Sequence, residues 1–201
     1  MTALLNHDSA TPCSVPQVGP GNARELRFEF GDLARQVFQD PLAQRSLSMI
    51  ARQLGGVLPK PAALSAADQA MLAAADGMID KAREAMKTQA LHQVLSAIWA
   101  VVADANRYFA SEAPWALAKT DPARQGTVLY VTAEVIRQVA ILAQPFMPAS
   151  AAKLLDLLAV PPTERHFQEL GGARRITAGA RLPAPAPVFP RYVDSEASAQ
   201  A

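Results

Sequence analysis

Apolar residues recur at helical spacing between about residues 24 and 160, and that spacing is lost on either side. Leu26, Phe30, Leu33 and Val37 are spaced to share one face of a helix over 24–38. Gln39-Asp40-Pro41 punctuates the chain there: an Asp side chain can cap, and proline suits a first helical position, where its missing N–H would be unbonded anyway. The helix that follows runs to about Leu54 and stops at Gly55-Gly56, because glycine takes the left-handed closing conformation cheaply. After a Pro59-Lys60-Pro61 turn, Ser65 opens the next helix, its hydroxyl able to accept the backbone N–H near Asp68. Met71, Leu72, Ala75, Met78, Ile79, Ala82 and Met86 fall on one face of it. Leu91, Val94, Leu95, Ile98, Val102, Ala105 and Phe109 repeat the pattern, and Val128, Leu129, Thr132, Val135, Ile136, Val139 and Leu142 form a third stripe. Pro148 starts a short helix that turns Ala151, Leu154, Leu155 and Leu158 inward. Amphipathic helices joined by short turns must bury their stripes against one another, so the expected fold is an all-α helix bundle.

The flanks read differently. Residues 1–23 are rich in Pro, Gly, Ser and Asn without periodicity, and are expected to form a loose arm. From Val160 onward Pro161-Pro162, Gly171-Gly172 and the alternating prolines of 183–187 rule out long helices. An extended, Pro-rich segment over 161–194 is expected to pack back on the bundle through Phe189-Pro190-Arg191-Tyr192, with 195–201 a disordered tail. The bundle itself is assigned to 24–160.

Composition narrows the setting. A chain of 201 residues, half of them hydrophobic, suits one domain with a core that needs no staples. Cys13 is the single cysteine and no Cys/His group has zinc spacing, which points to a reducing cytoplasm. The N-terminus lacks the basic region and apolar run of a secretory signal. The apolar stretch 135–148 is short and carries Arg137 and Gln144, so the expectation is a soluble, cytoplasmic protein with no membrane partner. His7, His92 and His166 are scattered without a recognisable catalytic partner. The net charge of +1 provides no general attraction to nucleic acid, so any RNA contact must be local.

Three motifs then occur in order: Asn106-Arg107-Tyr108, Ala113-Pro114-Trp115 and Pro145-Phe146-Met147-Pro148. Together they make the chain, over about 42–193, resemble the helical anticodon-binding domain of methionyl-tRNA synthetase, a class I aminoacyl-tRNA synthetase. The resemblance implies binding to the anticodon stem-loop of a methionine tRNA. It implies support of ATP-dependent methionyl-tRNA formation only together with a separate catalytic domain. The His-Ile-Gly-His-like and Lys-Met-Ser-Lys-Ser-like motifs of that catalytic domain are absent here, as is a βαβ pattern with a Gly-rich turn. The expectation is therefore no catalytic residue, metal or cofactor in this chain, with ATP and methionine bound by the missing domain and no methionine activation by the chain alone. The chain reads as the C-terminal part of a synthetase behind a foreign or diverged arm. The other reading is a truncated or diverged remnant, a structural or protein-interaction bundle in which tRNA reading has decayed.

Candidate binding residues follow. Pro114 fixes the backbone before Trp115 and so holds the indole at a helix entrance. A positioned aromatic offers a flat surface to an unstacked base, and the resemblance implies that Trp115 contacts the anticodon; without it, Trp115 would read as a hydrophobic plug. Arg45, in Leu42-Ala43-Gln44-Arg45-Ser46-Leu47, matches the family helix that presents an Arg to the anticodon, where its fork of donors suits base edges and phosphates. An ion-paired surface Arg reads equally well. The family Asn one turn before that Arg is replaced by Pro41, which weakens the expected discrimination between anticodons. Asn106 and Tyr108 are expected to be helix-end structure and Trp99 core. Lys119, Arg124, Arg174 and Arg175 read either as phosphate contacts or as solvated charge, with solvated charge favoured.

Overall fold

Proline starts four of the seven α-helices among the described residues, because it presets the helical φ and has no N–H to leave unbonded in the first turn. The computed structural model describes residues 41–188. The arm over 1–23, the helix over 24–38, the 189–192 anchor and the 195–201 tail lie outside the described residues. The helices are α1 Pro41–Gln53, α2 Ala66–Asp76, α3 Met78–Lys87, α4 Leu91–Glu112, α5 Pro114–Thr120, α6 Pro122–Ala143 and α7 Pro148–Leu157. Two short 3-10 turns, Pro162–Glu164 and Phe167–Glu169, follow. The described part is all-α, with one isolated antiparallel bridge between Val57 and Arg181 and no strand.

The Ser65 cap forms a reciprocal box. The Asp68 N–H donates to Ser65 Oγ at 3.3 Å, and the Ser65 N–H donates to Asp68 Oδ2 at 2.8 Å. The single helix expected across Met71–Met86 is two helices, broken at Gly77, whose N–H bonds back to the Ala73 carbonyl at 3.0 Å. The new direction buries Met78, Ala82 and Ala85 and leaves Met86 exposed. Leu91, expected on the next inward stripe, is exposed as well. Both flank the α3–α4 turn, where Gln89 takes φ 55° and the chain reverses at the surface.

The axis of the bundle is α6. It packs against α1, α2, α4, α5 and α7, so every residue from Gln125 to Ala143 is buried. A single apolar stripe was expected; enclosure on all sides replaces it. By length and composition Pro122–Ala143 could cross a bilayer, contrary to the reading of the sequence, but its apolar window is wholly buried within the protein. Leu95, Ile98, Val135, Ile136 and Leu142 are all buried as expected.

The buried polar residues of α6 hold the C-terminal segment. Glu134, fully buried, accepts from Arg137 Nε at 2.9 Å, Arg137 Nη2 at 2.8 Å, Gln138 Nε2 at 2.8 Å and the Ile176 N–H at 2.8 Å. Arg137 also donates to the Glu169 and Arg174 carbonyls, at 3.1 and 2.7 Å. Arg175 forks onto Asp76 at 2.7 Å to each carboxylate oxygen. Tyr130 donates to the Ile176 carbonyl at 2.9 Å, and the Leu58 and Leu182 N–H groups donate to the Ala180 and Gly56 carbonyls at 2.9 and 2.8 Å. The segment after Val160 thus packs on the bundle through charge-assisted and backbone bonds as well as buried Ile176 and Leu182.

Candidate nucleic-acid interface

The site is built at the elbow between α4 and α5. Pro114 disfavours a right-handed helical backbone at the residue before it, and α4 ends there. Ala113 takes the left-handed conformation, φ 44° and ψ 57°, and its N–H closes α4 onto the Phe109 carbonyl at 3.2 Å. For a residue with a side chain that conformation costs about 1–2 kcal/mol, so the elbow is held by its surroundings. α5 then leaves in a new direction, with Pro114 buried at its first position and Trp115, 48% exposed, at its second. Pro114 offers no surface to a ligand; its part is to aim Trp115.

Trp115 is placed over the buried ring of Phe109, with centroids 6.0 Å apart and planes inclined by 55°. From α1, the Arg45 guanidinium lies 5.5 Å from the centroid of each ring. Such a cation over an exposed aromatic is worth about 0.5–1 kcal/mol. The two residues expected from sequence to meet a base are therefore brought together, about 70 positions apart in the chain. Arg45 makes no ion pair among the described residues. α1 is fixed by the buried side chains of Leu42, Leu47 and Ile50, and by Gln125 of α6 donating to Gln53. Pro41 is the first residue of α1, one turn before Arg45. Phe109, read only as core, is also the floor of this stack.

Behind the elbow lies a polar cluster that the sequence did not reveal. Arg124 Nη2 donates to Glu112 Oε2 at 2.7 Å, one residue before the elbow, and to Asp68 Oδ1 at 3.0 Å. Its Nη1 donates to Asp68 Oδ2 at 2.5 Å. Tyr108 donates its hydroxyl to Asp68 Oδ1 at 2.5 Å. Burial pushes the Asp68 carboxyl up, but bonds from Arg124, Tyr108 and Ser65 outweigh it and hold Asp68 below the ordinary value. Burial and the adjoining Asp68 carboxylate push the Tyr108 hydroxyl up. The bond with Asp68 raises Arg124. Arg124 is therefore a structural tie and not a solvated charge. Arg175 is likewise committed, to Asp76, while Arg174 pairs with Glu169 at the surface. Asn106 is not at a helix end: α4 continues to Glu112, and the Asn106 amide bonds to the Val102 carbonyl. Trp99 is half-buried, with an indole N–H that has no partner among the described residues.

A sequence profile described as the anticodon binding domain of methionyl tRNA ligase matches residues 58–200. The chain belongs to this family. It is similar to the methionine–tRNA ligase of Brucella suis biovar 1, 61% identical over 155 residues that make 77% of this chain and 30% of that protein. The ligase of Mycobacterium tuberculosis strain H37Rv is 48% identical over 165 residues, 80% of this chain and 31% of that protein. The crystal structure of Mycobacterium tuberculosis methionyl-tRNA synthetase bound by methionyl-adenylate matches with a TM-score of 0.76 at 43% identity, covering 83% of this chain and 33% of that one. The chain thus spans about three-tenths of the length of these relatives and corresponds to their anticodon-binding domain.

Proposed function

We propose that the chain binds the anticodon loop of a methionine tRNA, using Trp115 as a platform for one loop base and Arg45 as the cation beside it. The observation that carries this reading is the shared stack: an indole nearly half exposed, seated on Phe109, with an arginine over it that has no carboxylate partner among the described residues. A Trp packed as a plug would be covered. Pro114 and the left-handed Ala113 aim the indole, and the Glu112–Arg124–Asp68 tie braces the elbow from behind. In this reading the chain supports methionyl-tRNA formation only beside a catalytic domain that binds ATP and methionine, and it works in the cytoplasm. Linkage to a domain holding the acceptor end raises the effective affinity without new contacts.

The test is a fluorescence titration of a labelled stem-loop bearing a CAU anticodon, at low salt, with wild type and Trp115→Ala. Loss of one base–aromatic stack, about 1–3 kcal/mol, weakens binding roughly 5- to 150-fold. With Pro41 in the Asn position, a loop altered at one base should be rejected by less than a full base contact gives. Equal affinities of the two proteins would remove the RNA reading and leave an interaction bundle in its place.

A further inference from the structure

The cations of the described residues differ in what holds them. Arg124, Arg137, Arg165 and Arg175 are each bound to carboxylates or carbonyls of the bundle. Arg45, Arg52 and Lys119 are exposed and have no ion pair among the described residues. Their placement follows from helix geometry. Arg52 lies seven residues after Arg45, two turns along α1 and on the same face, about 10 Å further on. Lys119 lies four residues after Trp115, on the same side of α5 and about 6 Å further on. The two helices meet side chain to side chain where Arg45 lies over Trp115. Both then lead to the first turn of α6. Gln53, next to Arg52, accepts a bond from Gln125, and Asp121, two residues past Lys119, caps α6 at the Arg124 N–H at 2.9 Å. Arg52 and Lys119 therefore flank the surface that runs from the ring stack to the α6 N-terminus. Of the carboxylates nearby, Asp121 accepts that N–H and Glu112 is tied to Arg124.

We propose that Arg52 and Lys119 form, with Arg45, a phosphate track that carries the RNA strand away from the base lying on Trp115. The track rests on the RNA-binding reading and deepens it: the aromatic addresses a base, and the cations beyond it address the backbone of the same strand. A chain of net charge +1 gains nothing from general attraction, so its electrostatic contribution must come from such a local set. Phosphate contacts of this kind carry no sequence information.

The experiment measures the affinity of the full chain for the CAU stem-loop and for the same stem with one loop base changed, between 50 and 200 mM salt. Each phosphate contact contributes about 0.7–0.9 to the slope of log affinity against log salt. Arg52→Gln with Lys119→Gln should therefore flatten the slope by about 1.5 and weaken both loops equally. Arg52→Lys with Lys119→Arg should keep the wild-type slope, and thermal unfolding of both variants should match wild type. Trp115→Ala should lower affinity with the slope retained. An unchanged slope in the Gln variant, while Trp115→Ala still loses binding, overturns the track and leaves the base-reading site intact. A Trp115→Ala protein equal to wild type, or a wild type that binds neither loop, overturns both.

Discussion

Two arginines, Arg45 and Arg137, show how one side chain serves two ends. Arg137 is 4% exposed, and its fork is filled by Glu134 and by two carbonyls of the C-terminal segment. Arg45 is exposed and lies over two rings with its donors unspent on any carboxylate of the described residues. A satisfied, buried guanidinium fastens one part of the chain to another. One over an aromatic platform, with no carboxylate partner among the described residues, has donors left for a ligand. The region around Glu134 is thus fixed, and the elbow region is braced underneath but open on top. Changes in the first should cost stability and leave ligand contacts alone; changes on the open face of the second should do the reverse.

The largest effect tests the fixed region. Glu134→Gln leaves Arg137 and Arg175 short of a buried counter-charge and should destabilise the fold by about 3–5 kcal/mol. A urea titration checks it, and a loss below 1 kcal/mol would mean that this cluster does not hold the segment. Next comes packing. Ile136→Ala, inside α6, should cost about 2–5 kcal/mol through lost burial and a residual cavity. Leu91→Ala, at the exposed turn, should stay within about 0.5 kcal/mol. Similar losses for both would show that the boundary of the core is misplaced.

The elbow brace gives a pH-dependent effect. The folded state lowers Asp68, so its contribution is present above the ordinary carboxylate value near 4 and is lost as pH falls through the lower folded value. Tyr108 is raised, so its contribution is present below about pH 10 and is lost as pH rises beyond that. Wild type should therefore exceed Asp68→Asn in stability at pH 7, and the gap should close towards pH 2. Denaturant midpoints across that range decide it; a gap independent of pH would place the effect of Asp68 elsewhere.

What was legible in the sequence was local. The Ser65–Asp68 box, the Gly55 stop after α1 and the proline starts each depend on a few neighbouring residues, and each is found. The Pro114–Trp115 entrance was legible for the same reason. The break at Gly77 and the exposure of Met86 were not, because an apolar repeat continues through both helices and only packing on α4 decides the new direction. The enclosure of α6 escaped notice because Glu134, Arg137 and Gln138 look like a polar face until their partners, Asp76 and 169–176, are in place. Arg124 looks solvated in the sequence for the same cause: its partners Asp68 and Glu112 lie 56 and 12 residues away. Arg45 and Trp115 follow from family likeness; their contact with each other and with Phe109 has no signal in the spacing of either.

The central claim is that the Trp115 ring itself receives a base. Trp99→Phe leaves Trp115 as the single tryptophan and removes an indole N–H with no partner among the described residues, so the fold should tolerate it. The measurement is the emission of Trp115 in that variant as unlabelled CAU stem-loop is added at low salt, with binding followed in parallel by anisotropy of a labelled copy. Base stacking on the indole predicts quenching that saturates along the same curve as the anisotropy. Saturated anisotropy with Trp115 emission unchanged would contradict the account, since RNA would then be bound elsewhere on the bundle.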